Sequence, residues 1–134
     1  MIRHADEVRD FIRDNLLTTY QPAVAWQEDS APFKTLGNNI IYCRQEGQAV
    51  DAFVRNVSVD VYLFSKQGAT NADLNQLYID SVNALNYVKY NYNINDGETS
   101  MTVTQDVTGE YYTGQNRVYY RFSVLCRSVG ADDS

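Results

Sequence analysis

The segment from Asn56 to Phe64 constrains the fold more than any other part of the chain. Val57, Val59, Val61 and Leu63 alternate with Ser58, Asp60, Tyr62 and Phe64. Strict period-two alternation with dense β-branched residues specifies a strand with one packed face, here expected over about Phe53 to Ser65. A slip of one residue would exchange the two sets, so the packed face is well specified.

The rest of the chain arranges itself around that strand. Val8, Phe11, Ile12 and Leu16 fall on one apolar stripe of a first helix over residues 4–17, with Asp6, Glu7 and Asp10 near its start, where they suit the helix dipole. Pro22 closes that region. A short strand is expected over Ala23 to Gln27, and a second over Asn39 to Gln45. In the second, Ile41 and Cys43 lie on one face, and Ile40, Tyr42 and Arg44 on the other. Glu46-Gly47-Gln48 reads as a turn. Leu74, Leu77, Tyr78, Ser81, Leu85 and Val88 form the buried stripe of a second helix from about Asn71 to Tyr90, capped by Thr70 or Asn71 with Asp73 in its first turn. Its many asparagines are mediocre helix formers, so packing must hold it. After a polar loop, Thr99 to Gln105 and Arg117 to Arg127 read as strands joined by a connection over residues 106–116 that contains Tyr111 and Tyr112. The sum is one α/β domain, with an acidic tail over residues 129–134 expected to fray.

Composition narrows the function. The net charge of -6 argues against gripping nucleic acid through its phosphates, which needs clustered Lys and Arg. It suits a wall that DNA slides past without sticking. No stretch is long and apolar enough for a membrane span, and the charged N-terminus carries no signal-like apolar core, so a cytoplasmic protein is expected. In that compartment Cys43 and Cys126 are expected to be buried free thiols. His4 is the single histidine and stands at a charged helix end, a poor place for a general base. Asn93 to Glu98 fails the register of a calcium loop, since Tyr92 and Ile94 fall where oxygen ligands are needed. No catalytic constellation, cofactor site or metal site is expected.

Eleven tyrosines are unusual in a chain of 134 residues, and tyrosine favours half-buried and interface positions. A sheet with one wet face and a tyrosine-lined interface both accommodate them. Asp60 has two readings: a solvent-facing charge that discourages aggregation, which is preferred, or an ion pair with Arg117, Arg121 or Arg127. Arg117, Tyr119, Arg121 and Arg127 make a basic and aromatic strand face suited to salt bridging with acidic surfaces.

The strand Asn56 to Phe64, the helix Asn71 to Val88, and Arg117-Val118-Tyr119-Tyr120-Arg121-Phe122-Ser123-Val124 together resemble the tail terminator proteins of long-tailed bacteriophages, the minor tail protein U type. The likeness spans most of the chain as a pattern and has no invariant signature. It implies an α+β fold, a mixed and mostly antiparallel twisted sheet of about five strands with two helices packed on one face. It implies a hexameric ring at the head-proximal end of the tail in the virion. Such a ring stops tail-tube polymerisation and offers a surface to a head-completion or neck protein, with DNA passing through its lumen unbound. The expected contact residues are Asp60, Tyr111, Tyr112, Tyr119, Arg121 and Arg127, with Trp26 and Phe33 flanking an early loop toward the axial partners. Another neck or tail-tube protein, and a protein-binding module outside phages, are the competing expectations. An enzyme would need a deep pocket lined by polar groups with shifted pKa values.

Overall fold

The computed structural model describes residues 4–23, 38–50, 54–94, 97–112 and 117–129. In chain order the elements are α1 (His4–Asn15), β1 (Gln21–Ala23), β2 (Ile40–Val50), β3 (Val54–Phe64), α2 (Asn71–Tyr90), β4 (Asn93–Ile94), β5 (Thr99–Tyr112) and β6 (Arg117–Val129). They build one six-stranded sheet in the order β1-β2-β3-β6-β5-β4. β1 pairs with β2 in parallel, and every other neighbouring pair is antiparallel. β3 and β5 are joined through α2 but lie on either side of β6.

β3 sits in the middle of the sheet, hydrogen-bonded along its length to β2 and β6. Val57, Val59, Val61 and Leu63 are wholly buried, as the alternation requires. Each such side chain contributes about 1.5–3 kcal/mol by leaving water. They pack with Ile41 and Cys43 of β2, Met101 of β5, and Phe122, Val124 and Cys126 of β6. Both helices cover this face: Ala5, Val8 and Ile12 come from α1, and Leu77, Ala84, Leu85 and Val88 from α2. The chain is therefore α+β, with two helices on one face of a mostly antiparallel sheet.

Local chemistry sets the helix limits. Thr70 Oγ1 accepts from the Asp73 amide at 3.2 Å, and Asp73 Oδ2 accepts from the Thr70 amide at 2.9 Å, a reciprocal capping box that starts α2. The helix ends at Tyr90, where the Asn91 amide still reaches the Tyr87 carbonyl. Tyr78 belongs to the expected buried stripe, yet it is 47% exposed and meets Tyr120 edge-on at 5.4 Å. α1 stops at Asn15, two residues early: the Leu16 amide still makes the helical bond to the Ile12 carbonyl, but the Leu17 amide reaches back five residues to that same carbonyl. That turn leaves Leu16 at the surface.

Several expected boundaries move. The first strand is Gln21–Ala23, and residues 24–27 lie outside the described residues. The turn expected at Glu46-Gly47-Gln48 is strand: β2 absorbs the extra residue as a bulge between Gln45 and Gly47 and continues to Val50. Residues 106–112 are strand too, since β5 tracks β6 as far as Tyr112 through register shifts between Val103 and Thr108. Gly109 permits this, because a Cβ there would stand 2.6 Å from the Tyr120 ring, which lies across the strand opposite it. The sixth strand is the two-residue β4, placed inside what reads as a loop. The expected frayed tail lies beyond the described residues except for Val129, the last residue of β6.

The larger correction concerns the face of β3 that carries Ser58, Asp60, Tyr62 and Phe64. It is not a solvent face. Tyr62 and Phe64 are buried with Ile40, Tyr42 and Ala23 in a second apolar cluster, with Tyr119 packed on it. From Asp60 to Phe64 both sides of the central strand are thus out of water, while Ser58 stays partly exposed. No described helix is long and apolar enough to cross a membrane.

Candidate functional site: an arginine and tyrosine recess

Strand register assembles the second face in rungs. Ile40, Phe64 and Tyr119 share one rung across β2, β3 and β6. Tyr42, Tyr62 and Arg121 form the next, with Thr108 of β5 beside Arg121. Arg44, Asp60, Ser123 and Gln105 form the third. The face therefore grades from apolar through aromatic to charged within three rungs. Directly opposed side chains on antiparallel strands are within contact distance, so each rung acts as a unit.

Tyr62 is the centre. Its ring lies 5.8 Å from Tyr42, 6.1 Å from Phe64 and 5.6 Å from Tyr119. Arg44 Nη2 donates to the Tyr62 hydroxyl at 2.7 Å, with its guanidinium carbon 5.3 Å from the ring centroid. Arg121 also hydrogen-bonds the Tyr62 side chain. Two cations thus converge on one phenol. Burial pushes the Tyr62 pKa up, and the Arg121 hydrogen bond and Arg44 charge oppose that shift.

Asp60 sits on the floor beside them, only 7% exposed. The Ser123 hydroxyl donates to its Oδ1 at 2.5 Å and stands 3.2 Å from the Gln105 side-chain oxygen. A hydroxyl carries one proton. With that proton on Asp60, the Gln105 contact is satisfied when the amide turns its nitrogen toward Ser123. These groups line a recess of about 490 Å³ whose wall includes Arg44, Asp60, Thr104, Gln105, Arg121 and Ser123. A set of donors gathered beside a buried carboxylate can make charged hydrogen bonds away from water, and those are the strong ones.

The expected contact residues separate. Asp60, Tyr119 and Arg121 are brought onto this one surface. Asp60 is not a solvent-facing charge, because β2 and β6 flank it and bury it. Arg127 is exposed, four residues along β6 from Ser123, between Asn56 and Ser100. Tyr111 and Tyr112 are not in a loop: their backbone is strand, opposite Val118 and Arg117, and their side chains are outside what the structure describes. Trp26 and Phe33 lie outside the described residues.

Arg117 leaves the basic face altogether. It is 1% exposed and donates through Nη1 to the Ser65 carbonyl at 2.6 Å and the Asn38 carbonyl at 3.1 Å. Burial pulls its pKa below the usual arginine value. It ties the start of β6 to the end of β3 and the approach to β2. Arg44 is the residue that sequence reasoning passed over. Its alternation with Tyr42 was visible, but only the β2–β3 register sets it opposite Asp60.

The other singled-out groups have structural surroundings. His4 is buried, with Nδ1 2.8 Å from Glu7 and Nε2 3.3 Å from the Ser128 hydroxyl. Cys43 and Cys126 are buried free thiols, separated by β3, where they stand opposite Val61 and Val57. Burial pushes both thiols up, Cys126 to about 12. Among the described residues no three His, Cys, Asp or Glu side chains converge to hold a metal ion. The chain matches no protein-family model and no curated protein.

Proposed function

We propose that this chain is a phage virion structural protein, a tail terminator that forms a hexameric ring on the tail tube, stops its polymerisation and offers the head-joining surface. The observation that carries the reading is the recess around Tyr62, where Arg44 and Arg121 converge above buried Asp60. Arginine and tyrosine in a partly desolvated setting are the residue types that anchor protein interfaces. The α+β architecture with both helices on one face agrees with what the sequence resemblance implies. The net charge of -6 is suited to a lumen through which DNA passes unbound.

A ring requires two different surfaces per copy and a rotation that closes. Native mass spectrometry and electron microscopy of the purified protein, alone and with tail tubes, test this. The expected result is a six-subunit species and annular particles, free or at tube ends. A strict monomer at high concentration that leaves tube length unchanged would refute the reading.

A further inference from the structure

Asp60 and Arg44 stand directly opposite each other across β2 and β3, and Arg121 is one rung away on β6. Side chains so placed are close enough to pair. They do not pair. Arg44 is turned to the Tyr62 hydroxyl at 2.7 Å, and Arg121 bonds the same side chain. Among the described residues the side chain that bonds Asp60 is Ser123, through Oδ1, and no Lys or Arg reaches ion-pair distance of the carboxylate. Asp60 Oδ2 therefore has no hydrogen-bond partner among them, and it opens to the recess, whose wall also holds both guanidiniums. A carboxylate 7% exposed with no cation at contact distance is a costly arrangement. Tyr62 and Ser123 thus hold opposite charges apart across one small polar space.

We propose that the recess binds a small zwitterion of the α-amino acid class, its ammonium on Asp60 and its carboxylate on the guanidiniums of Arg44 and Arg121. An ammonium brings three N–H donors to the open Asp60 oxygen. A guanidinium carries five N–H donors, so each arginine can hold Tyr62 and a ligand oxygen together. The mixed charge selects against simpler ligands. An anion alone meets Asp60, and a cation alone meets two guanidiniums, so each sets a favourable contact against an unfavourable one. A ligand with adjacent charges of both signs satisfies both walls. The charged groups are held in place by Tyr62 and Ser123 before any ligand arrives, which lowers the cost of binding. The volume of about 490 Å³ is in the range of small-ligand sites. Ser58, Thr104 and Gln105 complete a polar wall that suits a ligand with a short polar side chain or none. The site is built from one copy of the chain and does not depend on the ring.

The test is calorimetric titration of the purified protein with glycine and L-serine, paired with amide chemical shifts from nuclear magnetic resonance. Saturable binding with a Kd below about 10 mM is expected, with shifts centred on Asp60, Gln105 and Ser123. Acetate and methylammonium, each carrying one of the two charges, are expected to bind about 10-fold more weakly or worse. Asp60→Asn keeps the side-chain shape and removes the charge, and is expected to weaken glycine binding about 10-fold or more. Asp60 lies between two strands, so a second variant guards against loss of the fold. Arg121→Met leaves the bond from Arg44 to Tyr62 in place and is expected to weaken glycine binding by a similar factor. A urea midpoint for each variant confirms that folded protein is compared. Absence of saturation by both amino acids overturns the proposal. So does acetate binding as tight as glycine, or glycine binding untouched in folded Arg121→Met. Native mass spectrometry of the same samples reads the ring separately: a strict monomer that binds glycine refutes the ring and leaves this site standing.

Discussion

Replacing Arg117 with methionine tests the distinction between an arginine that builds the fold and one that faces a partner. Arg117 Nη1 makes two hydrogen bonds to backbone carbonyls, at 2.6 Å to Ser65 and 3.1 Å to Asn38. Hydrogen bonds from a charged donor are worth about 1.5–3 kcal/mol each, and carbonyls left buried without a donor lose the solvation they gave up on folding. Methionine fills part of the volume and removes the desolvation cost of a buried cation, which offsets part of the loss. The net expectation is a destabilisation of about 2–4 kcal/mol. At roughly 2.1 cal/mol/K of unfolding entropy per residue, a chain of 134 residues shifts about 3.5 °C for each kcal/mol, so Tm falls by roughly 7–14 °C. Urea denaturation monitored by circular dichroism gives the free energy, with unchanged m-value as the check that one transition is compared with the same transition. Arg121→Met under identical conditions is expected to stay within about 1 kcal/mol of wild type, since Arg121 is only half buried and Tyr62 keeps its bond from Arg44. Equal stability of Arg117→Met and wild type would refute the assignment of Arg117 to the fold. Equal large losses for both variants would refute the separation of the two arginines.

Three further outcomes follow from the geometry. Gly109→Val places side-chain atoms against the Tyr120 ring, which Tyr78 also contacts, and is expected to lose about 1–3 kcal/mol in the same urea assay. Thr70→Ala removes the hydroxyl half of the capping box of α2 and is expected to lose about 1 kcal/mol, recovered in large part by Thr70→Ser. Cys43, Cys126 and Tyr20 all hold raised pKa values in the fold, chiefly through burial, so the native state keeps protons that the unfolded chain gives up. Their stabilisation is complete below the unfolded thiol value and declines as pH rises, by about 1.4 kcal/mol per pH unit for each thiol still protonated in the native state. Urea midpoints measured from pH 8 to 11 are expected to fall from about pH 9 upward, with a smaller slope in Cys126→Ala; a flat profile would contradict the burial of these groups.

Local sequence determined the parts of the fold governed by near neighbours. The alternation from Val57 to Phe64 announced β3 and its helix-facing side, because pleating puts successive side chains on opposite faces whatever lies beyond. Thr70 and Asp73 announced the start of α2, because a capping box closes within four residues. What only the tertiary structure decided depends on pairings across long stretches of chain. Gly47 and residues 106–112 read as turns on composition, yet they are strand, since bulges let a partner strand carry them past an extra residue. Arg117 and Arg121 look equivalent by period, but one lies at the sheet's end among carbonyls of Asn38 and Ser65 and the other lies over Tyr62. The recess itself unites Arg44, Asp60 and Ser123 from three strands, and only the register of β2, β3 and β6 places them on a common rung. Periodicity assigns a side chain to a face; which residues share that face is settled by long-range hydrogen-bond ladders that no local pattern encodes.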